Sequence, residues 1–187
     1  MTNFQLIGIV VVAAIVVAIV LIILARAQKS RRLRSRFGPE YRRAVQESGS
    51  AARGEERLAK LEQRVERFNI HPLSSSDRSR FVEAWRLVQA KFVDAPEAAL
   101  QEGDHLVREV MTARGYPMGD FDQQAADLSV NHPFVVEHYR AGHTIAVRHA
   151  QGNASTEDLR QAMIHYRKLF DDLVGEPEAA RARAAGG

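Results

Sequence analysis

The chain opens with an apolar run over residues 6–25 (LIGIVVVAAIVVAIVLIILA) that contains no charged side chain. A helix of that length rises about 30 Å, which is the hydrocarbon thickness of a lipid bilayer. In lipid a single segment can satisfy its backbone hydrogen bonds only as a helix, whatever the helix propensity of Val and Ile in water. The run therefore predicts one transmembrane helix, and residues 1–25 are interpreted as a membrane anchor.

A cleaved signal peptide is the alternative, because residues 25–27 (ARA) resemble a small-x-small cleavage site. The apolar run is longer than the core of about 7–15 residues that a signal peptide has, and no Lys or Arg precedes it. The sequence therefore favours an anchor that stays attached.

A strongly basic flank follows the span, with eight Lys and Arg and one acidic residue, Glu40, over residues 26–43. The positive-inside rule predicts that this flank and the C-terminal domain lie in the cytoplasm, with the N-terminus outside. Each basic residue close to an anionic leaflet contributes about 1 kcal/mol of attraction. Residues 6–25 and 26–43 are therefore the predicted contacts with membrane lipids. The chain has no cysteine, which agrees with a reducing compartment.

The formal net charge of +3 comes from this flank, because the other residues hold eighteen Lys and Arg against twenty-two Asp and Glu. A domain that binds nucleic acid carries its basic patch on its folded surface. The charge distribution therefore predicts that the domain does not bind nucleic acid.

Beyond the flank, apolar residues recur with helical spacing and nowhere alternate with a period of two. Residues 26–56 are interpreted as a basic juxtamembrane segment and linker, because residues 46–56 (QESGSAARGEE) are polar and contain two glycines. Residues 57–174 are the predicted soluble bundle of about five or six helices, whose short connections favour antiparallel neighbours. Residues 175–187 have low complexity and predict a disordered tail. The predicted fold class is all-α.

Helix boundaries and inward faces follow from capping residues and apolar spacing. The predicted N-caps are Ser75 or Ser76, Asp94, Asp120 and Ser155. Pro96 and Pro133 are predicted in first turns, and Gly115 and Gly152 at helix ends. The two clearest core stripes are Phe81, Ala84, Trp85, Val88 and Phe92, and Leu159, Ala162, Met163, Tyr166, Leu169, Phe170 and Leu173. A shorter stripe, Leu58, Leu61, Val65 and Phe68, predicts a helix packed on the domain, with a short coiled coil as the alternative.

The segment 131–150 contains four histidines: His132, His138, His143 and His149. Two histidines on one helix can bind the same ion only when they are three or four residues apart. The spacings here are six, five and six residues, so no two neighbouring histidines form such a pair. His138 and His149 share the apolar arc marked by Phe134, Tyr139 and Ile145, so both are expected to face neighbouring helices.

Three interpretations of these histidines remain open. The preferred one is structural, with neutral imidazoles that are partly buried and hydrogen-bonded. The second is a pH or small-ligand sensor that uses His138, His149 or His165, because an imidazole pKa near 6.5 is easily moved. The third is a metal assembled from different helices, with His165 or Asp127 as a further ligand. Because the preferred interpretation is structural, no metal-binding, cofactor-binding or catalytic residue is predicted.

The loop over residues 114–121 (RGYPMGDF) carries bulky apolar side chains where polar ones would suffice. Tyr116, Pro117, Met118 and Phe121 are interpreted either as a plug at one end of the bundle or as an exposed loop that binds a partner. The sequence shows no phosphate-binding glycine loop, no G-x-S-x-G and no H-E-x-x-H. Enzymatic activity is therefore not favoured.

Four segments resemble a set of bacterial single-span proteins that have no known activity: RFGPEYRRAV, RVERFNIHPL, RGYPMGDFDQQAADLSVNHP and STEDLRQAMIHYR. Those proteins share the span, the basic flank and a helical domain, so the resemblance implies a bacterial source and the cytoplasmic (inner) membrane. The resulting hypothesis is a non-enzymatic adaptor or scaffold that binds a protein partner, with the histidine sensor as the alternative. A homo-oligomer also stays open.

Overall fold

A computed structural model describes residues 3–175 of the protein, with side chains from residue 12 onward. Every regular element in that range is an α-helix, and no strand occurs there, which confirms the all-α prediction. The helices are α1 (Asn3–Phe37), α2 (Pro39–Ser48), α3 (Ala51–Val65), α4 (Ser75–Lys91), α5 (Pro96–Ala113), α6 (Phe121–Ser129), α7 (Val136–Ala150) and α8 (Thr156–Val174). Residues 176–187 of the predicted disordered tail lie outside the described residues.

Helix α1 contains the apolar run and continues through most of the basic flank. Its stretch Val12–Phe37 is the one candidate membrane span within the described residues, and none of its most apolar window is buried against the rest of the chain. A helix this long and apolar can cross a bilayer, as the sequence predicts.

The chain divides into two compact units, Met1–Ala59 and Lys60–Gly187. In the first unit, the hydroxyl of Tyr41 on α2 donates to Glu55 on α3 over 2.7 Å. The break predicted within residues 46–56 is confined to Gly49 and Ser50, because the residues on either side belong to α2 and α3. Gly49 has a φ of +71° and ends α2 in the left-handed conformation.

In the second unit, α8 lies against α7, α5 and α4, and α4 and α5 pack on each other. Five complete helices, α4 to α8, build this bundle, in agreement with the predicted five or six. All seven residues of the predicted inward face of α8 are buried, and Trp85 of α4 stacks on Phe170 at a centroid distance of 4.6 Å. This stack joins two helices that are far apart in sequence.

Several helix ends form as the capping rules predict. The carboxylate of Asp120 accepts the backbone N–H of Gln123 over 2.9 Å, and Ser155 and Asp158 form a reciprocal capping box at the start of α8. Gly115 follows α5 with a φ of +91°, where a Cβ would lie 2.1 Å from a backbone oxygen. Only glycine fits that position.

Other predicted helix ends are wrong. Helix α4 is capped by Ser74 rather than by Ser75 or Ser76, because the Ser74 hydroxyl accepts the N–H of Asp77. Ala95 rather than Asp94 precedes α5, and no side chain caps that end.

The histidine-rich helix α7 begins at Val136 instead of Pro133, because residues 132–135 form a turn. The backbone carbonyl of His132 accepts the N–H groups of both Val135 and Val136 across this turn. Phe134 therefore does not extend the apolar arc of α7, and 65% of it is exposed.

Candidate functional site

Two imidazoles meet where α7 faces α8. The Nδ1 atoms of His138 and His165 lie 3.0 Å apart, and their ring centroids are separated by 5.2 Å with an interplanar angle of 32°. The centroid distance is close to the Nδ1 separation plus the radii of the two rings, so the two nitrogens point at each other. This is a hydrogen bond in which one Nδ1–H donates and the other Nδ1 accepts.

Gly142 lets α7 and α8 approach each other one turn away from this pair. Its missing Cβ would lie 2.9 Å from Cε1 of Tyr166, the residue next to His165. Tyr166 is fully buried, and its ring lies across the bare backbone of Gly142. The short distance between the helices lets two imidazole side chains bridge the gap at the neighbouring turn.

The environment keeps both imidazoles neutral at neutral pH. Partial burial is the main cause that lowers the pKa of His138, followed by the positive charge of Lys168 and by His165. Burial and then Lys168 lower the pKa of His165 in the same way. The carboxylate of Glu137 acts in the opposite direction on both rings. Each ring therefore has a lone pair available at pH 7.

His149 shares a face of α7 with His138 but does not join the pair. Its Nε2 lies 3.6 Å from a carboxylate oxygen of Glu97 on α5. Of the three histidines predicted for a sensor, the structure therefore brings together only His138 and His165. His149 lies about three turns further along α7 and faces α5 instead.

The loop after α5 divides its four predicted residues between core and surface. Tyr116 is 3% exposed, its hydroxyl accepts the side-chain N–H of Asn131 over 3.2 Å, and burial raises its pKa. The ring of Phe121 stacks on His143 with centroids 3.6 Å apart. Pro117 is half-buried, whereas 59% of Met118 is exposed. Tyr116 and Phe121 thus pack against the bundle core, and Met118 is the most exposed of the four.

Met118 lines a shallow groove of about 340 Å³ over α4 and α5. Its apolar part is formed by Phe81, Ala113 and Met118, and the Met118 sulfur lies 2.9 Å from the hydroxyl oxygen of Thr112. The remaining lining residues are Arg80, His105, Arg108 and Glu109. The sequence did not predict this groove, since its lining comes from two helices and a loop.

The two arginines at the rim of this groove are each paired with an acidic residue on their own helix. The guanidinium of Arg80 lies 4.3 Å from the centroid of Phe81 and 3.3 Å from a carboxylate oxygen of Asp77. Arg108 pairs with Asp104 over 2.7 Å, one turn away on α5. Because each Arg is oriented by a carboxylate or an aromatic ring, the apolar floor lies between positioned charges.

Two further polar contacts in the second unit connect segments whose contact could not be predicted from the sequence. Asp127 of α6 is almost fully buried and accepts hydrogen bonds from Arg64 and from Gln123. His132 is buried and its Nδ1 contacts the carboxylate of Asp172 on α8. The Nε2 of His132 is enclosed and has no hydrogen-bond partner among the described residues, so this His–Asp pair reaches no nucleophile there.

Within the described residues, no group of three or more His, Asp or Glu side chains is placed to surround a metal ion. The His138–His165 pair and the groove beside Met118 are therefore the two candidate sites. Comparison with protein-family models, curated proteins and solved structures finds no match for this chain. Both candidate sites are therefore defined by residues of this chain alone.

Proposed function

We propose that the protein is a membrane-anchored, non-enzymatic adaptor whose helical domain binds a protein partner. The observation that carries this proposal is the groove beside Met118, an apolar floor with a charged rim on a chain that also has a membrane-length helix. An apolar groove on a helical domain is one surface on which an amphipathic partner helix can bind.

The size and charge of the groove indicate the chemistry of the partner. A volume of about 340 Å³ lies at the lower end of the range of small-molecule pockets, so the groove takes a few side chains rather than a whole domain. Its rim carries Arg80, Arg108 and Glu109, and the two arginines are already paired with Asp77 and Asp104. The best fit is an amphipathic helix that inserts apolar anchors between these ion pairs.

We infer that the domain lies on the cytoplasmic side of a bacterial inner membrane, with the N-terminus outside. Support comes from the basic side chains that follow the apolar part of α1, which are exposed from Arg26 to Arg36 and can contact anionic headgroups. Trypsin added to intact spheroplasts should leave the domain uncut, and trypsin added to inverted membrane vesicles should digest it. Digestion in spheroplasts would show that the domain lies on the opposite side of the membrane.

The groove can be tested by site-specific photocrosslinking in native membranes. Thr112 and Thr144 are matched positions, since both are exposed helical threonines whose hydroxyls donate to the backbone carbonyl four residues earlier. A photoreactive residue at position 112, in the groove, should give one defined crosslinked partner, and the same residue at position 144 should not. Identical patterns at both positions would refute the groove as the binding surface.

The second candidate function is a pH sensor, and the hydrogen bond between His138 and His165 is the observation that favours it. Protonation of both rings would place two N–H groups in opposition at 3.0 Å and open the pair. Imidazole NMR resonances of the full chain should then show two coupled titrations below pH 6.5, with α7 and α8 signals shifting alongside them. Titration without any change in those helices would exclude a sensing role.

A further inference from the structure

We propose that His138 and His165 form a two-imidazole binding site for a divalent transition-metal ion such as Cu²⁺, Ni²⁺ or Zn²⁺. The proposal goes beyond the adaptor function and does not depend on it. It also differs from proton sensing, because an ion can bind at a pH where neither ring titrates.

The separation of the two nitrogens is the first argument. Imidazole nitrogens bind such ions at about 2.0–2.1 Å, so two adjacent ligands of one ion lie about 2.8–3.4 Å apart. The Nδ1 atoms of His138 and His165 are 3.0 Å apart. For both nitrogens to bind one ion, the two rings must rotate about their Cβ–Cγ bonds until their lone pairs converge on a point beside the pair.

The protonation state of the pair is the second argument, because a metal binds the neutral imidazole. In the resting pair one hydrogen lies between the two Nδ1 atoms. When the ion binds, the donor ring moves this hydrogen from Nδ1 to its own Nε2 through solvent. Both Nδ1 lone pairs then bind the ion, and no proton is released overall.

The charged neighbours give the site a testable electrostatic signature. Glu137 precedes His138 on α7 and favours a cation, while Lys168 lies one turn beyond His165 on α8 and opposes one. Both are exposed and therefore screened by solvent. Their substitution should change ion affinity severalfold in opposite directions without disturbing the core.

The three other histidines of the segment 131–150 do not offer an equivalent site. His149 contacts a single carboxylate at 3.6 Å, and His132 is enclosed against Asp172. His143 is stacked on Phe121. Solvent must complete the coordination of an ion held by the His138–His165 pair, so its affinity should be moderate, on the order of micromolar.

The test uses the untagged full-length protein in detergent micelles at pH 7.5, with Cu²⁺ as the probe because it binds nitrogen sites most tightly of the three ions. Calorimetry measures affinity, and electron paramagnetic resonance counts the bound nitrogens. The expected result is one ion with two imidazole nitrogens. His138→Gln and His165→Gln should each weaken binding at least tenfold, whereas His149→Gln should bind like the wild type.

The charge variants keep the test decisive even if a histidine variant folds poorly. Lys168→Gln should tighten Cu²⁺ binding and Glu137→Gln should weaken it, each about threefold or more. The proposal is overturned if wild-type protein shows no two-nitrogen signal. It is also overturned if the signal persists in both His138→Gln and His165→Gln, or if neither charge variant changes the affinity.

Discussion

The close approach of α7 and α8 makes a sharp prediction for Gly142→Ala. A Cβ at this position would lie 2.9 Å from Cε1 and 3.1 Å from Cδ1 of Tyr166. Real Cβ contacts are longer, so either the ring or the helix must move. Tyr166 is fully buried, and its ring cannot shift without displacing other core side chains.

Two opposing effects set the magnitude. Replacing glycine by alanine inside a helix stabilises it by about 0.5–1 kcal/mol through backbone entropy. Overpacking a tight core costs about 1–3 kcal/mol. Because the clash is with a rigid buried ring, overpacking should win, and Gly142→Ala should lower the free energy of unfolding by about 1–2 kcal/mol.

Gly103→Ala on α5 is the matched control. Its Cβ would lie 3.3 Å from the sulfur of Met163, the end of a flexible side chain that can give way, and 3.7 Å from Val88. The helix-propensity gain should survive there, so this variant should equal or exceed wild-type stability.

Urea unfolding of the full-length chain in detergent micelles measures both variants. The only tryptophan, Trp85, is buried against Phe170 and reports on the core by fluorescence. The reasoning is refuted if Gly142→Ala is as stable as the wild type, or if the two alanine variants shift the midpoint in the same direction by similar amounts.

Three further predictions use the same assay. Ser155→Ala removes the capping box of α8 and should lower the free energy of unfolding by about 1 kcal/mol. An unchanged free energy of unfolding would mean that the start of α8 is frayed and the cap contributes nothing. Asp127→Asn removes the buried charge that Arg64 pairs with and should cost about 1–3 kcal/mol, whereas a neutral result would mean that the pair is unimportant. Burial lowers the pKa of His138 and His165 in the folded chain, so the unfolded chain takes up protons first as the pH falls through about 6.5. Stability measured with a chelator should therefore be highest above that pH and decline with acidification, and His138→Gln should flatten the decline; equal slopes would contradict this.

Helix identity and inward faces were predictable because burial follows the helical repeat. The stripe on α4 and the seven inward residues of α8 show this most clearly, since each lies on one face of a helix whose partners need not be known. Capping by Asp120 and Ser155 was predictable for the same local reason. The choice among Ser74, Ser75 and Ser76 was not, because adjacent serines have the same capping chemistry and the path of the incoming chain selects one.

The candidate sites depend on contacts between helices, which no local pattern encodes. Spacing within α7 excluded a ligand pair on that helix, but it could not show that His138 meets His165, because this requires the register of α7 against α8. The same limit applies to the loop. Tyr116 and Met118 are both apolar and two residues apart, yet one is buried and the other exposed, since only the packed ends of the helices decide which side chain fits.

The adaptor proposal is tested most directly by native mass spectrometry of the full-length protein, released gently from its own membranes. Two exposed apolar residues serve as a matched pair, Met118 in the groove and Val93 outside it. Wild type and Val93→Asp should both carry one protein partner at fixed stoichiometry, and Met118→Asp should lose it. A wild-type chain that carries no partner, or a partner retained by Met118→Asp, would contradict the account.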